Sequence, residues 1–141
     1  MRLSLNLFKI SEELKRLNPK WHLPDLREEL EEIKRQAFES KLDWKKLLEA
    51  FQNGKIVTLD DSTWNKMENT DSNDPNLTLN EIKTWKTKDV ESIIEAFQTG
   101  KSLPVPMVLI HQNIPICVAG NTRLSISKVL NIHPEVLVAV L

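Results

Sequence analysis

Gly120-Asn121-Thr122-Arg123 carries the residue types of an anion cradle in four consecutive positions. An apolar run, Ile116 to Ala119, leads into it, and the helix-like stretch Leu124 to Leu130 leads out. A strand that breaks at a glycine and enters a helix leaves the first-turn N–H groups without internal acceptors. The helix dipole adds roughly half a positive charge at the same end, so a phosphate or another anion is favoured there. Gly120 lets the backbone turn and lets a ligand approach with no Cβ in the way. Asn121 and Thr122 offer a side-chain cap or direct hydrogen bonds to oxygens. Arg123 offers a planar, permanently charged fork for two of them. The plainer reading of the same residues is a tight turn with an N-cap, Arg123 pairing with a surface carboxylate.

Chemistry on a bound phosphate needs a base and a metal or cationic clamp. The segment 68–76, Glu-Asn-Thr-Asp-Ser-Asn-Asp-Pro-Asn, supplies carboxylates. Glu68 and Asp71 are the candidate catalytic groups, and with Asp74 they are hard oxygen ligands of the kind a divalent ion takes. Asn and Asp also serve ordinary turns, so no residue is assigned as a metal ligand. His22, His111 and His133 lack ligand spacing, and with the single Cys117 they make no zinc set. His111 is expected as a half-exposed strand-end residue. Ser125 and Ser127 have no partnered histidine in reach and are expected on the helix surface. Trp21, Trp44, Trp64 and Trp85 are expected on helical segments as core anchors rather than base-stacking platforms.

Composition bounds the partners. The chain has 141 residues, 40% hydrophobic and 28% charged, which suits one globular domain with a real core. A net charge of −1 gives no wholesale attraction to nucleic acid, so any such contact needs a local basic patch. One cysteine excludes an internal disulfide. The apolar runs 105–110 and 136–141 are too short to span a bilayer. The stretch 1–17 has no continuous apolar core of a signal peptide. A cytoplasmic protein without a membrane partner is expected.

The elements around the box follow from periodicity. Leu3, Leu5 and Leu7 alternate as in a short strand; Ile10, Leu14 and Leu17 follow at helical spacing. Asn18-Pro19 stops that helix. A second helix is expected from Asp25, with Glu28 as capping-box partner and Leu26, Leu30, Ile33, Ala37 and Phe38 as its buried stripe. The segments 43–55 and 89–101 echo one another: each reads as an amphipathic helix closed by a glycine, Gly54 or Gly100, in the left-handed conformation, followed by a strand. The echo fits a duplicated unit and fits convergence equally. Between them, Asp61 or Ser62 caps a short helix with Trp64 and Met67, 68–76 is a loop, and Thr78 with Glu81 opens another helix. Thr87 is expected to cap the helix 88–99, with Asp89 and Glu91 at its positive end. Residues 107–111 and 116–119 suggest a hairpin-like pair. Asn131 and Pro134 stop the box helix, and 135–141 is a buried strand expected to return parallel to 116–119.

The pattern from 87 to 141 resembles the core of the ParB/sulfiredoxin superfamily. The matching features are a helix ending at Gly100, a strand after Pro106, a second strand running into the G-x-x-R box at 120–123, a helix and a closing strand. The resemblance implies that Gly120, Asn121, Thr122 and Arg123 contact nucleotide phosphates. Sulfiredoxins carry cysteine in the second box position, where this chain has Asn121, so their chemistry is not implied. Partitioning ParB proteins carry charged residues in the box and a helix-turn-helix domain after it. Free-serine kinases of the superfamily use an upstream glutamate, for which Glu68 is a counterpart. The bare box is most similar to stand-alone ParB-like proteins, often nucleases of phages and mobile elements.

The expectation is therefore an α/β (α+β) protein, a ParB/sulfiredoxin-like small mixed sheet with a helical N-terminal part. Its organisation is one domain, 1–141: helices over 1–55, a strand and acidic loop over 56–86, and the ParB-like core over 87–141. The function expected is binding of nucleotide or nucleic-acid phosphate, with DNA cleavage as the associated activity. An ATP/ADP-dependent small-molecule kinase and a non-catalytic nucleotide- or protein-binding module are the alternatives. ATP or CTP and Mg²⁺ are the cofactors this implies, and a homodimer or protein partner would form through the N-terminal helices.

Overall fold

The computed structural model describes residues 19–141; the strand expected at Leu3–Leu7 and the helix expected over 10–17 lie outside them. The order of elements is β1 (Trp21–His22), α1 (Leu30–Glu39), α2 (Trp44–Gln52), β2 (Lys55–Thr58), α3 (Asp61–Lys66), α4 (Leu79–Trp85), α5 (Thr87–Thr99), β3 (Leu103–Pro104), β4 (Met107–His111), β5 (Ile114–Ala119), α6 (Asn121–Val129) and β6 (Glu135–Val140). This is a mixed α+β fold. Four strands form a mixed sheet in the order β2-β6-β4-β5, and β1 pairs parallel with β3 in a separate two-stranded ribbon.

Alternation along the strands sends side chains to opposite faces of the sheet. Met107, Leu109, Leu137 and Ala139 pack with Ile33 and Ala37 of α1 and Leu47 and Phe51 of α2. Val108, Cys117 and Val136 pack on the other face with Trp64 of α3, Met67 and Leu124 of α6. A third cluster joins α4, α5 and α6 through Leu79, Ile82, Ile94, Phe97 and Ile126. Helices thus cover both faces, and α6 is wedged between the sheet and the α4–α5 pair.

The hairpin forms as expected. β4 and β5 pair antiparallel across Gln112 and Asn113, both with positive φ, the backbone of a tight two-residue turn. The helix caps expected at Thr78 and Asn131 also form. The Thr78 hydroxyl accepts from the Glu81 amide at 3.3 Å. Asn131 is left-handed, and the amides of Asn131 and Ile132 close back on the carbonyls of Lys128 and Ser127.

Other expectations are corrected. β6 does not lie beside β5. It pairs parallel with β4 and antiparallel with β2, and therefore runs antiparallel to β5. The outer edge of β5 is already taken: the Glu68 amide donates to the Pro115 carbonyl and the Cys117 amide donates to the Glu68 carbonyl. The apolar β6 gains neighbours on both edges in the middle of the sheet instead. α1 starts at Leu30 rather than Asp25, because the Asp25 carboxylate accepts the Arg27 amide at 3.0 Å and its carbonyl accepts from Glu28, closing a turn. Phe38 of the expected stripe is 86% exposed, since Ile33, Gln36 and Ala37 fill the inward face. The cap of α3 is Asp60, one residue before the pair expected. Thr87 is inside α5 and its hydroxyl donates to the Lys83 carbonyl, so it caps nothing. Trp21 lies on a strand, and Trp85 is half-exposed.

The two echo glycines differ. Gly100 is left-handed, with φ of +76°. Gly54 is not; a Cβ there would lie 2.6 Å from the Val138 carbonyl oxygen, so close passage against β6 is what demands glycine.

Candidate functional site

The box sits where β5 leaves the sheet. Met107 pairs with Ala119 but Val108 pairs with Cys117, so Val118 is an extra residue, a bulge just before the turn. Gly120 follows with φ of +94° and is the N-cap of α6. A Cβ on it would lie 2.8 Å from Pro106 and 2.8 Å from the Arg123 guanidinium. Glycine is required twice over, by the left-handed backbone and by what crosses above it.

α6 begins without a side-chain cap and without an acidic residue in its first turn. The amides of Asn121, Thr122 and Arg123 find no acceptor among the described residues. Arg123 folds back over Gly120, bringing a cation to the positive end of its own helix. Its Nε is buried with no hydrogen-bond partner among the described residues, and it forms no ion pair with them. Burial lowers the Arg123 pKa; the charges of Glu29, Cys117 and Asp89 act in the opposite sense. The guanidinium is thus flanked by carboxylates but not locked to one.

Two clefts meet at this turn. The first, of about 670 Å³, is walled by Glu29, Glu32 and Arg35 of the α1 region and by Asn69–Asp71, with Cys117–Gly120 as floor. Glu32 and Arg35 form an ion pair. The second, of about 460 Å³, lies between the start of α5 and the start of α6 and is lined by Lys86, Asp89, Ser92 and Thr122. Gly120, Asn121 and Arg123 line both.

Asn121 joins the acidic loop to the box. Its Oδ1 accepts from the Thr70 hydroxyl at 2.7 Å and from the Asp71 amide at 2.9 Å, and its Nδ2 donates to Asp71 Oδ2 at 2.9 Å. Because the Thr70 proton is given to Asn121, the Ser72 hydroxyl donates to Thr70 Oγ1 at 2.7 Å. Ser72 in turn accepts from the buried Trp64 indole at 2.7 Å. A chain of hydrogen bonds therefore runs from the core tryptophan to the box. The Asn121 side chain is spent on the loop, and what it can offer an anion is its backbone amide.

The sequence-predicted residues separate accordingly. Gly120, Asn121, Thr122, Arg123 and Asp71 are brought together. Glu68 is spent on the β5 edge through its backbone, its side chain is exposed, and it lines neither cleft. Asp74 accepts the Asn76 amide in a turn of its own. Among the described residues no three His, Cys, Asp or Glu side chains are grouped to hold a metal, and no helix is long and apolar enough to cross a membrane. His111 Nδ1 lies 2.8 Å from the Leu141 carbonyl oxygen and donates to it. Ser125 and Ser127, expected on the surface, are buried, because α6 is covered on one side by the sheet and on the other by α4 and α5. Cys117 faces the core side of the first cleft, and burial pushes its thiol up to about 12.

Glu29, Glu32, Arg35, Lys86 and Asp89 were not legible as site residues. They lie in surface-patterned helix sequence, and only packing carries them to the box. No family model, no curated protein and no solved structure matches this chain.

Proposed function

We propose that this chain binds the phosphate of a nucleotide or of a nucleic acid at the turn 120–123, as the resemblance to the ParB/sulfiredoxin superfamily implies. One observation carries the reading: Arg123 holds a buried Nε that has no partner among the described residues, and it lies over Gly120, at a helix start with no side-chain cap. A cation at the positive end of a helix is unfavourable by itself, and an unsatisfied buried donor adds to the cost. An anion seated there would offset the like-charge repulsion between the guanidinium and the helix start. The amides of Asn121, Thr122 and Arg123 would hold its oxygens, and Arg123 would neutralise it. Gly120 lets Arg123 fold back to that place.

Asp71 lines the same cleft as Arg123, which favours phosphoryl-transfer or phosphodiester chemistry with Asp71 as base. In that form the protein is a ParB-like nuclease or a small-molecule kinase, with Mg²⁺ brought by the phosphates. A non-catalytic binding module is the second reading, favoured by the hold of Asn121 on Asp71 Oδ2.

The test is calorimetric titration with ATP, ADP and CTP, with and without Mg²⁺, alongside a DNA-cleavage assay. Binding weakened at least about tenfold by Arg123→Ala supports the site, the loss expected of a charge-assisted hydrogen bond. Silence across the panel overturns the phosphate reading. Cleavage that survives Arg123→Ala places the chemistry elsewhere.

A further inference from the structure

The charges lining the two clefts are unequal, and their arrangement, taken together with the phosphate reading on which it depends, narrows the ligand. On the α5 side, Arg123 has Lys86 and the Thr122 hydroxyl beside it against one carboxylate, Asp89. On the α1 side the balance reverses. Glu32 and Arg35 satisfy each other. That leaves Glu29 and Asp71 facing the cleft, with Arg123 as the only other charge lining it among the described residues. Asp71 has one oxygen held by Asn121 and the other without a partner among the described residues, and the Glu29 carboxylate makes no hydrogen bond with them. The two sides of the turn differ in charge: a cationic pocket at one side, an acceptor-rich cleft at the other.

We infer that the ligand is a small phosphate monoester whose body carries hydrogen-bond donors, and not a nucleic-acid strand. Its phosphate sits at Lys86, Thr122 and Arg123. Its body extends past Gly120 into the first cleft, where hydroxyl or ammonium groups donate to Glu29 and Asp71. A strand entering the same cleft would bring its next phosphate against those two carboxylates, and like charges in a partly desolvated cleft repel. Hydroxyl-bearing and amine-bearing bodies share this chemistry.

Four probes separate the possibilities in one calorimetric series: ribose 5-phosphate, phosphoethanolamine, phenyl phosphate and a single-stranded deoxyoctanucleotide. The expected order places ribose 5-phosphate or phosphoethanolamine at least about tenfold tighter than phenyl phosphate, the worth of one charge-assisted hydrogen bond. Which of the two binds tighter distinguishes a hydroxyl body from an amine body. Glu29→Gln removes charge and breaks no side-chain hydrogen bond among the described residues, so it should reduce that preference and strengthen the octanucleotide. The inference is overturned if the octanucleotide binds the unaltered protein more tightly than the monoesters, or if Glu29→Gln strengthens the donor-bearing monoester. In either case the phosphate reading survives so long as Arg123→Ala abolishes binding. If no probe binds, phenyl phosphate included, both fall.

Discussion

Asn121 and Asp71, fifty positions apart, grip each other twice: the Asn121 Nδ2 donates to Asp71 Oδ2, and the Asp71 amide donates to Asn121 Oδ1, both at 2.9 Å. A box residue that could have faced a ligand instead fixes the acidic loop against the turn. The loop's position is then set by the same residue whose backbone amide opens α6.

Asn121→Ala should therefore release the loop rather than merely trim the site. Thr70 and the Asp71 amide lose their shared acceptor. The loss should be on the order of 1–3 kcal/mol in urea unfolding, with amide exchange quickening over 69–73. Unchanged protection of those amides would show the loop is held by something else.

Gly120→Ala and Gly100→Ala make a matched pair. Both positions are left-handed, but a Cβ at Gly100 meets only the Lys20 side chain at 3.8 Å, whereas one at Gly120 collides with Pro106 at 2.8 Å. The Gly100 change should cost about 1–2 kcal/mol for the backbone alone. The Gly120 change should cost more and should displace Arg123, so anion binding falls with it. Equal destabilisation in thermal unfolding would contradict the close approach.

Ser72→Ala removes the acceptor of the buried Trp64 indole. A buried donor left unpaired costs about 1–3 kcal/mol. The indole fluorescence of Trp64 should shift at the same time, and Ser72→Thr should preserve the bond if its added methyl is accommodated.

Cys117 lines a cleft yet should be inert. Burial pushes its thiol up to about 12, against the opposing pull of Arg123, so the thiolate needed for attack is scarce at about pH 8. A thiol reagent should label it at that pH only when the protein is unfolded by guanidinium. Rapid labelling of the folded protein would show the thiol reaches solvent.

Asp60 gives a pH signature. Hydrogen bonds from Thr63 to its charged form hold its pKa below 3.8. Its contribution to stability is complete above 3.8 and is lost as pH falls through the lower folded value. Asp60→Asn keeps a competent cap without the charge. The stability gap between the two proteins should narrow as the pH is taken below that range, and a gap independent of pH would remove Asp60 from the acid response.

The sequence by itself determined the local parts. The hairpin at 107–119, the box helix with its Asn131 stop, the capping box at Thr78 and the glycine turn at 120 all depend on neighbours a few residues away, and periodicity or turn chemistry reports such neighbours directly. Local signals misplaced the starts of α1 and α5, because the Asp25 carboxylate and the Thr87 hydroxyl had nearby backbone partners other than the helix ends. Tertiary structure alone decided the place of β6, since that depended on Glu68 occupying the edge of β5. It also decided that Asn121 serves the loop, that Ser125 and Ser127 are buried, and that Glu29 and Lys86 stand on opposite sides of Arg123. Each of these is a contact between segments far apart in the chain, and what selects such contacts is the packing of helices on the two faces of the sheet and of α4 and α5 against α6, which no short window of sequence contains.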